Sequence, residues 1–147
     1  MSDESLTNAA VEWIRDYYAA APADGPPSAT DLRESLSADF SYVGRNRVDV
    51  NFGEMTASDW PAMVTSFWDI GVGRPQFSEP TAIAVRGQRC ALVYAWIGYG
   101  NDYFTDFIHC IRLDPELQRL QRIVSFDADD RDAAIAELDR LHAEIND

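Results

Sequence analysis

Along residues 86–113, RGQRCALVYAWIGYGNDYFTDFIHCIRL, two runs rich in β-branched and aromatic residues flank the string Gly98-Tyr99-Gly100-Asn101-Asp102. That string supplies the positive φ angles and Asx turns of a tight reversal, so the pattern predicts one long antiparallel hairpin. If Tyr99 faces Tyr103 across a three-residue loop, alternation sorts the side chains onto two surfaces. One carries Ala91, Val93, Ala95 and Ile97 beside Thr105, Phe107, His109 and Ile111. The other carries Cys90, Leu92, Tyr94 and Trp96 beside Asp106, Ile108, Cys110 and Arg112. A sheet with one face in water shows a polar face, and both surfaces here are largely apolar, so both are expected to be covered. The expectation is that helices of the same chain lie over the first surface and a partner subunit meets the second.

The rest of the chain reads as material around this hairpin. Leu6, Ala10, Trp13, Ile14 and Tyr17 recur at helical spacing and predict an amphipathic first helix, ended by Ala21-Pro22-Ala23-Asp24-Gly25-Pro26-Pro27. Ser28 and Asp31 have capping-box spacing for a short second helix that reaches Leu32 and Leu36. Phe40-Ser41-Tyr42-Val43 is a short strand, with residues 48–52 as its return. Thr56 and Asp59 cap a further helix, with Pro61 in its first turn and Trp60, Met63, Val64 and Phe67 turned inward. A strand over residues 76–85 feeds the hairpin, residues 120–126 form the last strand, and a terminal helix opens at Asp127 with Ala134, Leu138, Leu141 and Ile145 on one face. This order is α+β with segregated layers, and no repeat or linker divides residues 1–147, so one domain is expected.

Charge narrows the partners. The formal net charge is -13 at pH 7, and all 12 basic residues are Arg. Such a balance disfavours nucleic acid, whose affinity rests on neutralising phosphates, and disfavours anionic membranes. The opening MSDESLTNAAVEWI lacks a basic region and a long apolar run, so a cytoplasmic protein is expected. Cys90 and Cys110 fall on opposite strands as diagonal neighbours, which predicts two packed thiols rather than a disulfide.

Three strings, ADFSYVGRNRVDVNFGEMTASDW, VRGQRCALVYAW and FDADDRDAAIAELD, together with the element order, resemble the SnoaL-like group of the nuclear transport factor 2-like superfamily over essentially the whole chain. The resemblance implies a strongly curved, mostly antiparallel sheet wrapped around the N-terminal helices, cone-shaped with a central pocket, plus a C-terminal helix. It also implies dimerisation through the outer sheet face. Superfamily members include isomerases, dehydratases, cyclases and epoxide hydrolases, beside domains with no chemistry. Related chains often show Asp-His after the first strand, where this one has Gly44-Arg45-Asn46. Catalytic members carry an acid–base carboxylate on the later strands, whereas here none follows on the last strand until Asp127.

His109 is the leading candidate for chemistry, because a histidine among Phe107 and Ile111 is partly desolvated and able to act as a base near neutrality. The competing reading is a satisfied core histidine. Asp106 has the opposite parity and reaches the same cavity only through a bulge or a shifted register. Asp127 reads as the N-cap of the terminal helix, and His142 as a solvated residue of that helix. Under the resemblance Tyr17, Tyr42, Trp60, Met63, Phe67 and Phe107 line the pocket, with Tyr17 or Tyr42 donating to developing oxyanion charge; plain core is the alternative. No metal, cofactor or covalent-catalysis pattern is present. Two functions stay open. One is a pocket for a small apolar molecule, with or without cofactor-free proton transfer. The other is a dimerisation or ligand-sensing module with a filled pocket. The homodimer patch is expected at Leu92, Tyr94, Trp96 and Ile108.

Overall fold

The computed structural model describes residues 6–19, 34–45, 54–60, 76–99 and 103–145. Helix α1 (Ala9–Ala19) leads into strands β1 (Leu36–Gly44), β2 (Glu54–Thr56), β3 (Gln76–Phe77), β4 (Thr81–Arg86), β5 (Cys90–Tyr99), β6 (Tyr103–Leu113) and β7 (Leu120–Phe126), and helix α2 (Arg131–Ala143) closes the chain. The strands form one curved sheet in the order β2-β1-β7-β6-β5-β3, with β4 also pairing β5. The β1–β7 pair is parallel and the other pairs are antiparallel. The fold is therefore α+β, as expected. No helix among the described residues is long and apolar enough to cross a membrane.

The hairpin register is the predicted one. Tyr99 pairs Tyr103, Trp96 pairs Asp106, Val93 pairs His109 and Cys90 pairs Arg112 without interruption. Alternation then separates two apolar clusters. Ala91, Val93 and Ile111 pack with Ala10, Val11 and Ile14 of α1 and with Phe40, Tyr42 and Trp60. Cys90, Leu92, Ile108 and Cys110 pack with Val124, Phe126 and with Ala134, Leu138 and Leu141 of α2.

The second cluster corrects one expectation. The outer surface is covered by the chain's own terminal helix, not left for another subunit, across Leu92 and Ile108, which are 0% and 1% exposed. An apolar stripe reports that a helix buries one side, and its destination is settled by where the chain can bring it. Only Tyr94 and Trp96 of the expected patch remain half-buried. Neither cysteine is in a disulfide, both are buried, and the Cys110 thiol donates to the Ala134 carbonyl at 3.0 Å.

Helix α1 is held against the sheet by a buried cap. Asn8 Oδ1 accepts the Val11 N–H at 2.9 Å, and Asn8 Nδ2 donates to the carbonyls of Gly87 and Cys90 at 2.9 and 2.8 Å. The Ala9 and Ala10 N–H groups donate to the side chain and carbonyl of Gln88. Donors that a helix start leaves open are thus satisfied by the β4–β5 turn, where Gly87 takes a φ of 57° that disfavours other residues. This fixes the position of α1 over the concave face.

Other boundaries differ from the sequence reading. Leu36 begins β1 instead of ending a helix, and residues 28–33 of that expected helix lie outside the described residues, as does the expected return strand over residues 48–52. The partner of β1 is instead β2, with Tyr42 opposite Met55. The strand expected over residues 76–85 is split at Ser78-Glu79-Pro80, consistent with the missing N–H of proline. Half of the Thr56–Asp59 box forms, with Asp59 Oδ2 accepting the Thr56 N–H at 3.1 Å. Asp127 does not cap α2, which starts at Arg131 with Asp130 as N-cap and no side-chain cap bond. His142 is half-buried rather than solvated, with Nδ1 buried and unpartnered among the described residues.

Candidate functional site

The concave face gathers its polar groups around His109. In the sheet His109 lies between Val93 on β5 and Ser125 on β7, and the Ser125 row continues to Gly44 on β1. Glycine leaves that end of the row without a side chain. The imidazole stacks on the Phe107 ring, with centroids 4.3 Å apart and planes 23° apart. It meets the edge of Tyr42 at 6.2 Å and 86°. His109 is 8% exposed. Burial among these rings disfavours the imidazolium and pushes its pKa down to about 3, with no carboxylate opposing the shift. At neutral pH the ring is an uncharged donor and acceptor.

Trp60 stands over the same face. Its ring is edge-on to Phe40 at 5.4 Å and tilted against Tyr42 at 5.2 Å. On α1, Tyr17 stacks on Trp13 with centroids 5.2 Å apart, beside an open cleft of about 450 Å³ that also touches Asp16, Glu34, Ser35 and Gln118. Burial raises the Tyr17 pKa, and the nearby Trp60 indole partly counteracts the rise. Tyr17 thus divides its surface between the cleft and the concave side. Tyr18, absent from the expected site, packs with Ala95 and Phe107, and burial raises its pKa. The Val11, Ile14, Tyr18 spacing is a helical stripe, so the sequence does carry a signal for it.

Of the expected site residues, His109, Phe107, Tyr42 and Trp60 come together and Tyr17 adjoins them. Met63 and Phe67 lie outside the described residues. Asp106 does not join them. The uninterrupted register puts it on the outer face, where its Oδ2 accepts the Tyr94 hydroxyl at 3.1 Å. Asp127 stands one position beyond the Ile108–Phe126 pair and is half-buried, so it has the His109 parity at the end of the last strand. Among the described residues no group of three His, Cys, Asp or Glu could hold a metal ion.

No family model and no curated protein matches the chain by sequence. Solved structures do match by shape. A protein of unknown function with a cystatin-like fold from Methylobium petroleophilum PM1 superposes with a TM-score of 0.61 at 16% identity, over 84% of this chain and 78% of that one. The chain has the cystatin-like, nuclear transport factor 2-like fold. This is the fold that the resemblance implied. A phenazine biosynthesis-related protein from Pseudomonas aeruginosa shares it with a TM-score of 0.57 at 12% identity, over 87% and 85% of the two chains. An LEH-like epoxide hydrolase from M. tuberculosis does so with a TM-score of 0.51 at 14% identity, over 88% and 91%. The fold is one that enzymes use, and at these identities the likeness extends to the fold alone.

Proposed function

We propose that the concave face of this nuclear transport factor 2-like chain binds a small, uncharged, ring-containing molecule. The observation that carries this reading is the neutral His109, buried between Phe107 and Tyr42 with no counter-charge. Flat aromatic walls with a few polar groups suit an apolar ring system and hold it in one orientation. Cofactor-free proton transfer on the bound molecule would use His109 as the base and Tyr42 or Tyr17 as the hydrogen-bond donor. The low His109 pKa makes it a weak base in the free protein. Binding is therefore the primary function, and Asp106 takes no part in it.

Titration of ¹⁵N-labelled protein with 2-naphthol, a neutral bicyclic probe, tests this. Amide shifts should centre on Tyr42, Phe107 and His109 and spare Leu138 and Leu141. Shifts centred on α2, or none at millimolar probe, would refute the reading and favour a filled, non-binding module.

Two copies are proposed to pair through the part of the outer face that α2 leaves open, at Tyr94 and Trp96. Light scattering should give twice the monomer mass, and Tyr94→Arg combined with Trp96→Asp should halve it. A monomer at micromolar concentration counts against this pairing.

A further inference from the structure

We infer that Trp60 supplies the hydrogen bond that orients the ligand, and that the ligand presents a neutral oxygen acceptor, a carbonyl or cyclic ether, to the Trp60 indole N–H. The inference rests on the binding reading above and specifies its chemistry. Trp60 is 8% exposed, and its Nε1 is buried with no hydrogen-bond partner among the described residues. An indole nitrogen only donates, so an oxygen or another acceptor must face it, and a donor left unmet in the interior costs about 1–3 kcal/mol. The Trp60 N–H acts on the Tyr17 hydroxyl as a hydrogen-bond partner and offsets part of its burial-driven pKa rise, but at a geometry too poor to satisfy the donor, so a ligand oxygen would compete with Tyr17 for it.

Among the described residues two aromatic rings pack against the indole. Phe40 and Tyr42 pack against it at 5.4 and 5.2 Å, and Tyr42 in turn meets His109. The unmet donor and the neutral imidazole therefore flank one tyrosine on one surface, a spacing suited to a single ring system with an oxygen at one end.

The acceptor's charge follows from the surroundings. Among the described residues the one buried carboxylate is Asp114, and it serves the β6–β7 turn by accepting the Gln118 and Arg119 N–H groups at 2.9 and 3.1 Å. Arg122, a nearby cation, is on the outer face, bonded to Ser41. Against the described residues of this surface, which are uncharged, a carboxylate or phosphate on the ligand would be buried at high desolvation cost. A ketone, ester or ether oxygen carries no such cost. The class is thus a neutral cyclic compound whose oxygen sits on the ring system.

The test compares 1-tetralone with tetralin, the same bicycle without the oxygen, on the native chain and on Trp60→Phe. The affinity ratio of ketone to hydrocarbon should fall roughly fivefold in the variant, the size of one neutral hydrogen bond. In the native ¹⁵N-labelled chain the Trp60 indole proton should move downfield with 1-tetralone and not with tetralin, a readout that does not depend on the variant folding. An unchanged ratio, or an indole proton that responds alike to both compounds, overturns the inference while the pocket reading stands. Absence of binding by either compound and by 2-naphthol removes the pocket reading and this inference together.

Discussion

The two faces of the β5–β6 hairpin are built from similar residues and are covered in different ways. Outward, Leu92, Ile108 and Cys110 meet Ala134, Leu138 and Leu141 of α2, and all six are 0–1% exposed. Even the thiol finds an acceptor there. Inward, α1 and Trp60 cover a face where an imidazole is buried without a charged partner and an indole N–H without an acceptor among the described residues. This outer interface is close-packed and apolar and contributes stability, although the helix that covers it carries one buried unpartnered atom of its own, His142 Nδ1. A face that keeps unmet polar atoms in apolar surroundings gives up stability that a ligand can return. The neutral imidazole and the indole among aromatic rings support placing the proposed binding on the inner side.

The largest effect should come from breaking the sealed side. Leu138→Ala leaves a cavity in a packed interface and should lower stability by about 2–5 kcal/mol in urea unfolding. Binding of 2-naphthol by the fraction still folded should be unchanged. On the inner side His109→Phe removes a polar ring that carries a desolvation cost, so the loss should be no more than about 1 kcal/mol, and a gain is equally consistent with its burial. A larger loss than Leu138→Ala would erase the distinction between the faces.

Acid should sharpen it further. The folded His109 pKa of about 3 lies below the unfolded value of 6.5, so the unfolded chain takes up the proton first. No stability is lost to this residue above pH 6.5. Below it, His109 should cost up to about 1.4 kcal/mol per pH unit down to about pH 3, where the loss levels off. Carboxylates also titrate in that range, so the quantity to measure is the difference in unfolding free energy between the native chain and His109→Phe from pH 7 to pH 5. A difference that does not change with pH contradicts the assignment.

Thiol chemistry gives a subtler contrast. Burial, with Glu137 and Cys90 nearby, pushes the Cys110 pKa up to about 12, so the native protein should react slowly with a disulfide reagent. Two thiols should titrate after unreduced denaturation. Smallest of all is the exposed Arg86–Asp139 pair at 2.8 Å on the rim of α2, where Asp139→Asn should cost less than about 1 kcal/mol.

Much of this is legible in the sequence, for reasons particular residues show. Alternation across residues 90–112 and the glycine-rich reversal determine the hairpin register, so the amino-acid order alone separates His109 and Asp106 onto opposite faces. The stripe of Ala134, Leu138 and Leu141 predicts α2 but not which surface it covers, because periodicity is local and docking is not. The break at Ser78-Glu79-Pro80 is signalled by its proline, although the apolar run around it reads as one strand. The start of α2 lies at Arg131 rather than Asp127, and the sequence cannot choose between them because Asp127, Asp129 and Asp130 fit a helix start equally well. The poorly satisfied Trp60 donor has no sequence signal at all, since it depends on how the fold aims the indole at its neighbours.

A neutral, buried His109 is the centre of the functional reading, and an NMR titration of its imidazole protons tests that directly. With the ring held between Phe107 and Tyr42, its resonances should stay those of the neutral form from pH 8 to about pH 5, the lower end being well above its pKa of about 3. A midpoint near 6.5, like that of a model peptide, would show an accessible ring and contradict the functional reading of the concave face.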